Sequence, residues 1–416
     1  MECEGVGRLD WLENGLQQVF LSAGRQIFQG LLEDASLHVP EDEKRSGEKL
    51  LSGQNRTIQT IFGQIEASRN GYYNAEKKSS RYPLDDAIEL IDGFTPASAK
   101  LVCRASAREP FKTASEDIEA YTGIHIESRR FQRLVQRLGP VVKDALTTEP
   151  ASREKVPVMY ISGDGTGVPL RPEELKGRKG KQADGSAKTH EVKLGCVFTQ
   201  HPKLGEDPFR DLDSTTYIAT THRCNDFGDM LLSEGRRRNM GGAKETVFIS
   251  DGAKWLKEIA RTRFPAATWI LDFYHASEHL HELVHVIYKQ GSKEAKRTAR
   301  KWIKWLLKDK VDQVIAQAHD LAPPKLRDSI DKKLEYFENN RDGMLYGTFR
   351  SKGYFIGSGV VEAGCKSVIG KRLKQSGMFW SEEGAENILT FRTALESNRM
   401  DSLWKQNLAG KLRKAA

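Results

Sequence analysis

The chain has 416 residues, 38% hydrophobic and 29% charged, with 65 Lys and Arg against 57 Asp and Glu for a net charge of +8. That length allows two or three domains with a real core, the basic balance is compatible with a polyanionic partner, and no apolar run approaches the ~18 residues a membrane span needs. Cys3, Cys103, Cys196, Cys224 and Cys365 are scattered and form no Cys-x-x-Cys pair, which argues against a disulfide framework or zinc ribbon and for a cytoplasmic protein.

In chain order, residues 8–35 read as an amphipathic helix. Leu12, Leu16, Val19, Ala23, Ile27 and Leu31 recur at intervals of three and four. Residues 36–55 are polar and read as a linker. Ile58–Tyr73 alternates as a short hairpin would, with Gly63 and Asn70-Gly71 as turn signals. Residues 84–139 read as helical. Within them one helix ends near Thr122-Gly123, and a second starts near Glu127-Ser128 carrying Arg129, Arg130, Arg133 and Arg137. This outline fits either a DNA-binding helix-turn-helix or an ordinary hairpin with solvated arginines.

From residue 156 strands dominate. Val158–Ser162, Glu191–Gln200 and Thr215–Thr220 read as strands, and Asn225–Arg238 as a helix. Strand Thr246–Ser250, helix Ala253–Phe264, strand Thr268–Phe273 and a helix through Val286 follow. The order β-β-β-α-β-α-β-α is that of a ribonuclease-H-like fold. Residues 293–345 break it with helical faces, interrupted at Pro323-Pro324, and read as an insertion. A glycine-rich stretch, Gly353–Gly359, then leads into a helix from Val360 to Lys374.

Three acids stand out by position. Asp164 ends the first catalytic strand, Asp251 the fourth, and Glu362 lies on the helix after Gly357-Ser358-Gly359. Clustered carboxylates repel one another unless a cation sits among them, and hard oxygen donors suit Mg²⁺ or Mn²⁺. Two such ions can clamp a phosphoryl group in an in-line displacement. Asp272 and His275 end the fifth strand beside the fourth, where the histidine could contact a phosphate. Arg171, Lys176, Arg178, Lys179, Lys181 and Lys188 follow Asp164, and Lys366, Lys371, Arg372 and Lys374 follow Glu362. Beside an acidic metal site such groups are candidate DNA phosphate contacts. A rival pattern is His275-Ala-Ser-Glu-His279, extended by His281 and His285, which fits the H-x-x-E-H of zinc peptidases. It leaves Asp164, Asp251 and the basic loops unexplained.

Several longer motifs carry a resemblance. They are Met159 to Leu175, Gly177-Arg-Lys-Gly-Lys-Gln182, Glu191 to Gln200, Ser250-Asp-Gly-Ala-Lys-Trp255 and Asp272-Phe-Tyr-His275. Gly357-Ser-Gly-Val-Val-Glu-Ala-Gly-Cys-Lys366 and Arg372-Leu-Lys-Gln-Ser-Gly-Met-Phe-Trp380 complete the set. Over about residues 155–398 the chain resembles bacterial insertion-sequence DDE transposases of the ISKra type, with a Mutator-like catalytic domain. The resemblance implies a catalytic triad at Asp164, Asp251 and Glu362, with the Asp272–His275 element near DNA. Tyr72-Tyr73 is not followed by the cysteine pair of some relatives, so no zinc site is carried over.

The expected protein is α/β: a ribonuclease-H-like catalytic domain with a helical insertion, preceded by a mostly α N-terminal DNA-binding region. The expected divisions are residues 1–55, 56–150, 151–292, 293–350 and 351–416. The expected activity is binding of the element's terminal inverted repeats through the N-terminal region and the helical insertion, then hydrolysis and strand transfer at those ends with two Mg²⁺ or Mn²⁺ ions. Expected partners are double-stranded DNA, as transposon ends and target, and further copies of the chain in a homodimer or larger complex. The expected location is cytoplasmic, at the nucleoid, with no membrane. A domesticated DNA-binding derivative that does not cut is the main alternative.

Overall fold

The computed structural model describes residues 8–33, 44–175, 189–200 and 209–406. The chain is mixed α/β and divides into two units, residues 1–146 with 390–416, and residues 147–389. No helix among the described residues is long and apolar enough to cross a membrane.

The first unit begins with helix α1 (Arg8–Glu33) and strands β1 (Glu48–Thr60), β2 (Gly63–Asn74) and β3 (Ser79–Arg81). Helices α2 (Pro83–Ala87), α3 (Pro96–Arg108), α4 (Phe111–Thr122) and α5 (Ser128–Thr147) follow. The three strands form an antiparallel sheet, β1-β2-β3. Two expectations change here. Strand β1 takes in residues 48–55 of the expected linker, and the Asn70-Gly71 turn signal lies inside β2. Gly71 is there because the Tyr82 ring presses on it: a Cβ would stand 2.5 Å from the ring. That ring in turn carries the Arg69 guanidinium, 3.8 Å from its centroid. The expected stripe on α1 also faces the wrong way. Leu12, Leu16, Val19, Ile27 and Leu31 are exposed, while Phe28 and Leu32 pack on Ile58, Ile65 and Ala67.

The second unit is built on five strands: β4 (Val158–Pro169), β5 (Thr189–Gln200), β6 (Thr216–Thr220), β7 (Glu245–Ser250) and β8 (Thr268–Leu271). Their spatial order is β6-β5-β4-β7-β8. β5 is antiparallel to both β4 and β6, whereas β4, β7 and β8 run parallel. The parallel pairs need crossovers, and α6 (Cys224–Arg237) and α7 (Lys254–Arg263) supply two of the helices.

Strand alternation then sorts β4. Met159 and Ile161 join Phe227 and Leu231 of α6 and Leu256 and Ile259 of α7 in one buried core. Tyr160 takes the opposite face, stacked on Phe198 with ring centroids 4.8 Å apart, and Phe355 closes on both. Asp164 has the parity of Tyr160, so it belongs to that second face. Contrary to expectation it does not end its strand: β4 stops pairing with β7 at Ser162 but continues along β5 to Pro169.

The remaining helices are α8 (Phe273–Ile287), α9 (Lys293–Leu306), α10 (Val311–Asp320), α11 (Arg327–Asn339), α12 (Tyr346–Ser351) and α13 (Gly359–Gly364). Then come α14 (Lys371–Leu373), α15 (Glu382–Glu396) and α16 (Met400–Gln406). A π-helical stretch, Cys365–Gly370, joins α13 to α14. Helices α9, α10 and α11 pack in sequence and return to α8. Trp302 is fully buried among them, its indole N–H donating to Gln317 Oε1 at 2.8 Å.

Helix α13 lies on the second face of the sheet, against β4 and β5. Gly364 permits this approach: a Cβ there would stand 2.7 Å from the Tyr217 ring and 2.9 Å from Leu194 Cδ2. Gly364→Val should therefore destabilise the second unit by about 1–3 kcal/mol, the usual cost of overpacking. Urea unfolding followed by tryptophan fluorescence measures this, and an unshifted midpoint would contradict so close an approach.

Candidate active site

The β4–β7 register brings two acids to one place. The last parallel pair is Ser162 with Ile249, and Asp164 and Asp251 each lie two residues beyond it. Asp251 sits where the chain leaves β7, and its Oδ1 accepts the Ala253 N–H at 2.9 Å, an Asx-type turn into α7. Gly252 between them has φ +86°, and a Cβ there would stand 2.6 Å from Leu271. Both aspartates are half-buried.

Helix α13 delivers the third acid to the same face. Ser358 at its start donates its hydroxyl to Glu362 Oε1 at 2.8 Å, and its backbone N–H donates to Asp272 Oδ2. Asp272 is fully buried and caps α8 by accepting the His275 N–H at 2.8 Å. Its own N–H donates to Ser250 O at 2.7 Å, which ties it to the end of β7. Asp272, His275 and Glu362 offer ligand atoms that all lie within 4.8 Å of one another. Among the described residues theirs is the one such trio, and it includes neither Asp164 nor Asp251.

The charges interact across the site. Burial pushes the Asp164 carboxyl above its usual range, while the Cys365 thiol and the Gly165 N–H pull it down. The negative charges of Asp251 and Glu362 then push it up again. The Cys365 sulfur stands 3.3 Å from Asp164 Oδ2, and burial together with that carboxylate holds it as a thiol. The Asp272 partner raises His275 from 6.5 to about 9, against its desolvation. The ring Nδ1 is 3.4 Å from Asp272 Oδ1, an ion-pair distance without a well-aligned hydrogen bond. Burial opposes ionisation of Asp272, but the groups donated by His275 and Ser358 outweigh it and the carboxyl is lowered.

The expected DNA contacts divide by environment. Arg171, Lys366, Lys371 and Lys374 are exposed, and Lys374 Nζ donates to Thr166 Oγ1, two residues past Asp164 on the same face. Arg372 is buried, with its guanidinium 5.0 Å from the Trp380 ring centroid. In the first unit, Arg133 and Arg137 both hold Asp92, each at 3.0 Å. Arg130 lies over Phe94 and reaches Gln59, and Arg129 is exposed. Lys176, Arg178, Lys179, Lys181 and Lys188 lie outside the described residues. In the rival peptidase pattern, His279 stacks on Tyr336 at 3.8 Å and among the described residues belongs to no ligand trio with His275.

Ser358, Cys365 and Tyr336 were not singled out as site residues in the sequence. Cys365 follows Glu362 by three residues, a spacing that puts both on one helix face. Tyr336 lies in the insertion, and its hydroxyl reaches Asp251 O at 3.4 Å, which no local pattern signals.

The model of the family described as "Uncharacterised protein family (UPF0236)" matches residues 4–192. The chain is similar to UPF0236 proteins. A UPF0236 protein from the vanSb 3' region of Streptococcus gallolyticus is 24% identical over 374 residues, 85% of this chain and 75% of that one. A UPF0236 protein of Caldanaerobacter subterraneus subsp. tengcongensis, whose name joins eleven locus labels, is 23% identical over 406 residues. That match covers 92% of this chain and 79% of the relative. Among solved structures, the Drosophila P element transposase strand transfer complex overlaps 74% of this chain and 81% of that one. Its TM-score of 0.24 and identity of 10% do not establish a common fold.

The His275–Asp272 pair has a pH signature. His275 has a raised folded value, so its contribution to stability is complete below about 6.5 and disappears as pH rises through about 9. Asp272 is lowered, so its share is lost as pH falls below its ordinary 3.8. The stability gap between wild type and His275→Gln should thus be widest between about pH 4 and 6.5. Urea unfolding across pH 4–10 measures it, and a gap that widens towards pH 10 would refute the pairing.

Proposed function

We propose that the chain is a DNA transposase whose Asp164, Asp251 and Glu362 act at a phosphodiester. One observation carries the reading: β4 and β7 pair in parallel so that Asp164 and Asp251 leave the sheet together, with the Glu362 helix on the same face. The sheet order β6-β5-β4-β7-β8, three antiparallel strands then two parallel, is that expected of a ribonuclease-H-like domain. A relative whose name joins eleven locus labels also fits a sequence that is copied within a genome. The finer placement among ISKra-type insertion-sequence transposases belongs to the same proposal.

The donor set fits a hard divalent cation. Asp164 is already lifted by burial and by its acidic neighbours, and such repulsion is relieved by Mg²⁺ or Mn²⁺ on carboxylate oxygens. When bound, such ions lower the pKa of water and offset charge at phosphorus. The chain's own residues prepare the site. Ser358 orients Glu362, the Cys365 thiol and Gly165 N–H orient Asp164, and Asp272 keeps His275 protonated at neutral pH. A cationic His275 and the exposed Lys374, Lys366 and Lys371 would meet phosphate oxygens. Duplex DNA is the partner, and holding two ends at once would take a homodimer or larger complex.

The purified chain should nick a plasmid carrying its own gene with native flanks in Mg²⁺. Asp164→Asn and Glu362→Gln should each lower nicking by on the order of 10²–10³-fold or more. Mg²⁺ should raise the melting temperature of the wild type and have little effect on Asp164→Asn. A wild type that binds the plasmid without nicking it and shows no Mg²⁺ shift would replace this reading with that of a DNA-binding derivative.

A further inference from the structure

We propose that the outer face of helix α9 is a sequence-neutral binding surface for the phosphate backbone of duplex DNA. Lys293, Lys296, Arg297, Arg300, Lys301 and Lys304 are all exposed and line one continuous shallow surface. Lys308 extends it one turn further, and Glu294 is the single acid between residues 293 and 308. Among the described residues none of these seven cations is paired with a carboxylate, unlike Arg133, Arg137 and Arg237 elsewhere in the chain. From Lys293 to Lys308 a helix rises roughly 22 Å, enough to face several phosphates of a duplex.

The composition of the face selects the partner. It carries no Asn or Gln to read adenine and no Asp or Glu to read cytosine; its Lys and Arg can reach guanine, but phosphate is the contact that all seven cations share on any sequence. Trp305 is its one aromatic, and Lys301 Nζ sits 4.4 Å from the ring centroid, so there is no stacking platform for single strands. A basic amphipathic helix can also lie on an anionic membrane, but only by burying its apolar stripe in lipid. Here Ala295, Ala299, Trp302 and Leu306 are already buried within the protein, against α8 and α10. That the duplex is DNA rests on the transposase reading. The cations stand apart from the acidic groups, so the two can be tested separately.

The test is fluorescence anisotropy of the full chain with a 30-base-pair duplex of scrambled sequence, titrated in KCl without divalent ions. Lys296→Ala/Arg300→Ala/Lys304→Ala should flatten the plot of log K against log salt by about 0.9 for each phosphate that is no longer neutralised. Lys296→Arg/Lys304→Arg should keep the wild-type slope, and circular dichroism should show every variant folded. The weakening should be equal for a duplex taken from the gene's flanks. An unchanged slope in the triple variant, a weakening confined to one sequence, or equal wild-type affinity for phosphatidylserine vesicles would overturn the proposal. Nicking retained by the triple variant at low salt would separate this face from the acidic site. A wild type that binds scrambled duplex with the expected salt slope yet never nicks would count against the transposase reading alone.

Discussion

The parallel pairing of β4 with β7 sets the positions of Asp164 and Asp251, the two acids that the sheet itself brings to the candidate site. It fixes Asp164 and Asp251 at equal distances past the last shared pair, Ser162 with Ile249. A slip of one residue would turn Asp164 onto the face occupied by Leu256 and Phe227, into the apolar core. The register is in turn held by that core. Met159, Ile161 and Phe248 are all buried in it, and their alternation opposes a one-residue slip, which would turn them out of the core. Ser162 adds a direct tie, its hydroxyl donating to Ile249 O at 2.8 Å.

Within this frame the acids fall into two electrostatic settings. Asp272 is fully buried but supplied with donors from His275 and Ser358, and it stays ionised. Glu362 shares Ser358 and closes on His275, so this corner holds a cation of the protein's own. Among the described residues the groups bonded to the Asp164 and Asp251 side chains are neutral, the Cys365 thiol and the N–H groups of Gly165 and Ala253, and the His275 cation acts on Asp251 only through space. Glu362 stands close to one setting and acts on the other through space, raising Asp164. Among the described residues Asp164 is thus an acid raised by its surroundings and bonded only by neutral donors, which is where added positive charge would be most favourable.

The strands of the second unit were legible because β-branched and aromatic runs carry a local signal, and four of five fall within a few residues of expectation. The first was cut short at Ser162, because a strand that loses one neighbour but keeps the other looks from sequence like a strand that ends. The helix that carries Glu362 was legible from its glycine-rich lead. Its companions were not. Ser358 acts through a backbone N–H and a hydroxyl, and Tyr336 arrives from an insertion 85 residues beyond Asp251. Helix α1 misled for a different reason: periodicity marks an apolar stripe but does not say whether anything covers it, and here Phe28 and Leu32 do the packing.

The basic residues show why charge counting alone could not locate a nucleic-acid surface. Arginine's planar fork suits paired and stacked settings inside a protein, and this chain uses it so. Arg69 grips Asp85, Arg237 grips Glu234, Arg133 and Arg137 share Asp92, and Arg372 lies against Trp380 in the interior. Lysine's compact, strongly hydrated charge favours the surface, and Lys366, Lys371 and the lysines of α9 remain there. Lys193 is the exception, its side chain 7% exposed and its Nζ 3.0 Å from Glu191. The net charge of +8 therefore understates the positive potential at α9. Arg69, Arg133, Arg137 and Arg237 spend their charge on acids of the chain, whereas Lys293 to Lys308 present theirs to solvent almost without opposition, and a polyanion would respond to that local field rather than to the total.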